Sequence, residues 1–196
     1  MKPLKIALLA GALAILSSPA VAQLSSNYGH DFIDAVQKRD GNKATELVSD
    51  HPTVIDMKDD KGDTGLIIVL RASDADWTGF MLRNGADANV QGANGDTPLI
   101  AAAKAGFDEA VPWLLGLHAK VDGTNKMGET PLIIAVQQRD TALVKVLLNA
   151  GANPDKTDTA AGYSARDYAQ RDMRARDILK LINDKKPKAA PAAAAN

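Results

Sequence analysis

The sequence predicts an all-α solenoid of helix-turn-helix repeats joined by hairpin-like loops. Two linked motifs and the composition predict it. The segment Gly62-Asp63-Thr64-Gly65-Leu66-Ile67 recurs without gaps as Gly95-Asp96-Thr97-Pro98-Leu99-Ile100 and as Gly128-Glu129-Thr130-Pro131-Leu132-Ile133, a spacing of 33 residues both times. A second signature keeps that register, because Gly85-Ala86-Asp87-Ala88-Asn89 returns 66 residues later as Gly151-Ala152-Asn153-Pro154-Asp155. Self-similarity at this period marks supersecondary units that bury their apolar faces only by stacking. With 45% apolar residues but only 4% aromatic, the shared core must be aliphatic and rich in Ala.

Composition also removes whole classes of function. A formal charge of −1 excludes a strongly basic nucleic-acid binder. Zero cysteines exclude a disulfide scaffold, a thiol nucleophile and thiolate metal sites.

The chain opens with a targeting segment, residues 1–22. Lys2 and Lys5 precede an apolar run from Ile6 to Leu16, and Ala20 and Ala22 offer small side chains for a signal peptidase. Eleven apolar residues are too few to span a bilayer, which takes about 20 in a helix. Cleavage is expected between Ala22 and Gln23; it removes two lysines and no acid, taking the charge from −1 to −3. The expected destination is the periplasm of a Gram-negative bacterium, with no membrane contact after cleavage.

The repeat domain is expected over residues 23–184. Residues 28–60 form an N-terminal cap with two amphipathic stretches, His30–Asp40 and Asn42–His51, and no Thr-Pro signal. Three regular repeats follow at 61–93, 94–126 and 127–159. In each, Thr64, Thr97 or Thr130 caps the first helix through its hydroxyl. Pro98 and Pro131 sit at the first helical position, where no N–H is needed. Ala101-Ala102-Ala103 lets neighbouring helices approach closely. The second helix carries the apolar pair Met81-Leu82, Leu114-Leu115 or Leu147-Leu148, and Leu143, Val144, Leu147 and Leu148 make one stripe. Gly85 and Gly151 end it in the left-handed conformation; His118 holds that position in the middle repeat. Residues 160–184 form a C-terminal cap: the motif returns one residue late as Gly162-Tyr163-Ser164-Ala165, and Arg166, Asp167, Arg174, Arg176, Asp177 and Lys180 make a polar end. Residues 185–196 read as a disordered Ala/Pro/Lys tail.

These motifs resemble the ankyrin repeat, whose pattern is a turn, Thr-Pro-Leu, a short helix, and a second helix ending in Leu-Leu and Gly-Ala. The resemblance covers residues 28–184 and implies five repeats. It implies non-catalytic protein binding through a concave helical face and hairpin tips, here around Asp59, Ala93, Lys126 and Thr159. The departures are specific. Ile67, Ile100 and Ile133 replace the family's His, so the turns must be settled another way. Gly65 replaces the first Pro. Gly79 weakens one outer helix by about 1 kcal/mol relative to Ala. Pro112 should make the next outer helix start late or kink.

One column has recognition character. Lys38, Arg71, Lys104, Gln137 and Arg171 stand seven after each first-helix Thr or its equivalent, and four of the five are basic. A repeated position becomes a ladder in space, suited to an acidic segment of a partner protein. The competing reading is helix-end chemistry, since cations near a helix C-terminus are favoured by about 0.3–1 kcal/mol.

Catalytic and metal signatures are missing: His30, His51 and His118 are scattered, and no hydrolase, phosphate-loop or zinc motif occurs. An EF-hand anchored on Gly62 would put Met57 and Lys61 at ligand positions, so the acidic stretch 56–63 reads as a solvated hairpin. Trp77 and Trp113 read as packing in outer helices. The expectation is therefore a monomeric protein-interaction module with no catalytic residue, cofactor or metal. The alternative is an immunity or inhibitor protein blocking one enzyme or toxin. A hydrolase built on scattered Asp and His, and nucleic-acid binding, rank below both. If the first segment is a signal, N-terminal sequencing of the exported protein should begin at Gln23; a soluble chain starting at Met1 would overturn it.

Overall fold

A computed structural model describes residues 19–185 of the chain, with side chains from residue 27 onward. Residues 1–18 of the expected signal segment, and 186–196 of the expected tail, lie outside the described residues. Among the described residues ten α-helices form five pairs: α1 (Pro19–Lys38) and α2 (Gly41–Asp50), α3 (Gly65–Arg71) and α4 (Ala75–Arg83), α5 (Pro98–Ala105) and α6 (Ala110–Gly116), α7 (Pro131–Gln138) and α8 (Thr141–Asn149), α9 (Ala165–Arg171) and α10 (Arg176–Asp184), with a short 3-10 turn at Pro52–Asp56. Helix α1 thus begins ahead of the expected scission after Ala22. Each odd-numbered helix packs on the next odd-numbered one and on its own even-numbered partner, which makes an inner and an outer layer.

The central inner helices α5 and α7 are apolar on nearly every side because they have neighbours on every side. Pro98 to Ala103 in α5 and Pro131 to Val136 in α7 are all buried. Leu99, Ile100 and the three alanines after them have no exposed surface at all. The outer helices bury one stripe each. In α8 it is Leu143, Val144, Leu147 and Leu148, the stripe read from the sequence; in α10 it is Ile178 and Ile182, below a charged surface.

Capping follows the motif. The hydroxyls of Thr64, Thr97 and Thr130 accept from the amides three residues on, at 3.2–3.3 Å. Ser164 does the same for α9 and completes a capping box with Asp167. Gly65 lacks the side chain that would run into Met81, whose methyl lies 2.4 Å from the position of a Cβ there. Proline could not occupy that place without moving Met81. Aspartates cap most outer helices: Asp40 for α2, Asp74 for α4 and Asp140 for α8. In the third pair the equivalent residue is Phe107, and α6 has no side-chain cap. It also starts late, at Ala110, which places Pro112 in the first turn, where its missing N–H costs nothing. The Pro112 effect is a late start rather than a kink.

Left-handed residues end the helices in two series. Gly85, His118 and Gly151 end outer helices as expected, His118 with φ 62°. A second series, not apparent from the motif, ends the inner helices at Arg39, Ser73, Gly106 and Arg139. Two of these residues compensate by reaching into the next repeat, Arg39 to Asp74 and Arg139 to Asp172.

Helix α4 is the least anchored of the regular outer helices. It buries only Thr78 and Met81, and the Thr78 hydroxyl is buried without a hydrogen-bond partner, a cost of about 1–3 kcal/mol. Gly79 subtracts further. Hydrogen exchange should therefore protect amides 143–149 more than amides 76–82; the reverse order would mean the stack is anchored elsewhere.

Candidate binding face

Four hairpins, at residues 57–64, 90–97, 123–130 and 156–164, connect the pairs along one edge of the stack. Each closes on a backbone hydrogen bond across the turn: Asp59 N–H to Asp63 O, Gly92 to Asp96, Asn125 to Glu129 and Asp158 to Tyr163, at 2.8–3.2 Å. Side chains replace the missing family histidine. Asp59 accepts from the amides of Lys61 and Asp63, Asn125 from those of Met127 and Glu129, and Asp158 from those of Ala161 and Gly162. The second hairpin has Gly92 at that place, and the carboxylate of Asp63 from the preceding repeat fills in. It accepts from the Ala93 amide at 3.0 Å, and a Cβ on Gly92 would lie 2.3 Å from its oxygen.

The tips are joined to one another. Lys126 N–H donates to Asn94 O at 3.0 Å, and Thr159 N–H to Met127 O at 2.9 Å. This approach requires glycine on the facing side. Gly95 and Gly128 have φ near +74°, and a Cβ on them would meet the Lys126 or Thr159 amide nitrogen at 2.9 or 2.6 Å. Of the expected tip residues, Asp59 and Ala93 are half-buried, whereas Lys126 and Thr159 are exposed.

The basic column ends the inner helices as expected, but its members are not equivalent. Lys38 is exposed and bonded to Asp34 on its own helix, at 2.8 Å. Arg71 bridges Asp63 of its own repeat and Asp96 of the next. Lys104 lies 2.8 Å from Asp96 and 3.8 Å from Glu129 of the following repeat. Gln137 is exposed in the last turn of α7. Arg171 lies 4.1 Å above the Tyr163 ring centroid and donates to its hydroxyl at 2.7 Å.

The expectation of four bare surface cations therefore needs correction. Arg71 and Lys104 are links in a chain of alternating charge, Asp63–Arg71–Asp96–Lys104–Glu129, that crosses three repeats. The carboxylates of Asp63 and Asp96 are buried, with 7% and 3% of their side-chain surface exposed, while the two cations keep about a third of theirs. The acidic members were visible one residue before each Thr, and eight before Arg71 and Lys104, but only the structure brings consecutive repeats together. Burial pushes the Asp96 carboxyl upward. The Lys104 ammonium, the Asn125 amide and the Arg71 guanidinium outweigh it and hold the group below the usual carboxylate range.

The segment 56–63 forms a hairpin, as expected, with an isolated bridge between Lys58 and Thr64, although its Asp63 is buried. One further expectation changes. Trp77 packs edge-on against Phe80, but Trp113, though it meets Phe107 edge-on, stays 40% exposed.

The family model described as Ankyrin repeats (3 copies) matches residues 32–121 and, overlapping, 66–158. That span exceeds half of the chain, and the protein belongs to the ankyrin-repeat family. Proteins of this family are generally protein–protein interaction modules and typically non-enzymatic. No curated protein matches the chain.

Asp96→Ala should cost about 2–3 kcal/mol in a denaturant titration, because it strips Lys104, Arg71 and Asn125 of a shared acceptor. The depressed carboxyl contributes stability above its unfolded value, about 3.9, and loses it as the pH falls through the lower folded value. Asp96→Asn should therefore flatten the acid limb of the stability curve below about pH 4; an unchanged limb would show that the chain of charges is not coupled to folding.

Proposed function

We propose that the protein is a non-catalytic binding scaffold of the periplasm that holds an acidic segment of a partner protein along its hairpin tips and concave helical face. One observation carries this reading. An open hollow of about 520 Å³ lies across the first three hairpins, and Lys58, Lys61 and Lys126 edge it. Among the described residues none of these lysines pairs with a carboxylate; the Lys126 ammonium donates only to Ala93 O, at 2.8 Å. Tip lysines are thus freer to attract a partner at long range than Arg71 and Lys104, whose charges are balanced inside the chain. Lys38 and Arg171 sit at the two ends of the same column, and the Gln137 amide offers a neutral contact between them.

The partner is sought by pull-down from a periplasmic extract. The triple variant Lys58→Gln, Lys61→Gln, Lys126→Gln should associate with it several-fold more slowly and with a flatter salt dependence, since exposed charges act over a screening length of about 8–10 Å. Unchanged association rate and salt slope would overturn the acidic-segment reading.

A further inference from the structure

The outer layer carries a second recessed surface, away from the hairpins, where α4 and α6 flank an open groove of about 800 Å³. The residues that looked like defects in the sequence make it. Gly79 and Gly116 leave the floor without side chains, and the late start of α6 puts Pro112 on the wall. Leu82, Trp113 and Leu117 supply apolar surface, and Trp113 and Leu117 are 40% and 47% exposed.

The groove also has two charged ends. Asp76 lies in the first turn of α4 and Arg83 in the last, seven residues or about 10.5 Å apart along the axis. The Arg83 guanidinium folds back over Gly79, into the groove. Among the described residues neither Asp76 nor Arg83 forms an ion pair.

We propose that this groove docks an amphipathic helix of a partner protein, lying antiparallel to α4. A helix is the element that places an acid, an apolar pair and a base on one face over two turns, in the pattern Glu-x-x-Leu-Leu-x-x-Lys. In the antiparallel sense its Glu meets Arg83 and its Lys meets Asp76. The same sense opposes the two helix dipoles and puts the partner's acid near its own N-terminus, the favourable end. The apolar pair packs on Trp113 and Leu117. This surface is separate from the hairpin hollow, so its failure would leave the acidic-segment reading standing.

The probe is a stapled helical peptide carrying Glu-x-x-Leu-Leu-x-x-Lys, titrated into the full chain and followed by calorimetry and amide chemical shifts. Saturable binding is expected, with shifts confined to residues 75–83 and 110–117. The reversed peptide, Lys-x-x-Leu-Leu-x-x-Glu, should bind about fivefold more weakly or less. The double variant Asp76→Lys, Arg83→Glu should invert that preference. Gly116→Leu meets open space, so it should fill the groove and abolish binding while the fold stays intact. Gly79→Ala should raise the thermal midpoint and still weaken the peptide. Equal affinity for both peptides, or shifts centred on the hairpins, would overturn the proposal. So would concentration-dependent dimerisation in sedimentation that Gly116→Leu removes, because the groove would then belong to a second copy of this chain.

Discussion

No helix pair in this protein can bury its own apolar surface, and that constraint governs everything else. Inner helices such as α5, apolar all round, are stable only between two others. Every repeat must therefore present its neighbour with the same surface at the same height, and the 33-residue period follows from that requirement. Three residues at this period hold the register. Asp56 accepts from the Asp87 amide, Asn89 from Lys120 and Asp122 from Asn153, each bond reaching 31 residues ahead at 2.9–3.0 Å. A repeat that slipped by one residue would break these bonds and turn its apolar stripe out of the core.

The chain of charges serves the same end by other means. A buried ion pair adds little stability over an apolar contact, but an unmatched buried carboxylate is costly. Asp63 and Asp96 each have a cation in their own repeat, Arg71 and Lys104, and correct stacking adds further partners, the Ala93 amide for Asp63 and the Arg71 guanidinium for Asp96, so the charges favour the correct register. Their partners, Arg71 and Lys104, keep one side toward solvent. The same two residues thus belong both to the interior and to the face where a partner would lie, which ties the shape of that face to the integrity of the stack.

Regularity and irregularity divide the molecule's labour. Where the motif is followed, at α7 and α8, the inner helix is buried from Pro131 to Val136 and the outer helix keeps its Asp140 cap and a full apolar stripe. Where it is broken, by Gly79, Phe107 and Pro112, an outer helix loses its cap or its side chain and a groove opens. The exposed Trp113 lies on the wall of that groove. In the sequence these residues could be read only as local losses of stability, because the surface they create is shared between two repeats.

The sequence by itself determined the repeat architecture, the capping threonines, the stripe on α8 and the left-handed position of His118. Each of these rests on interactions within one period, where spacing along the chain is a true measure of distance. The tertiary structure decided what depends on two periods at once. The place where Asp63 fills in for the side chain that Gly92 lacks is one such feature; the pairing of Arg71 and Lys104 with carboxylates of the following repeat is another. The third is the groove between α4 and α6. Residues about 25 to 37 positions apart become neighbours only when the helix pairs stack, and stacking is set by the packing of the whole core.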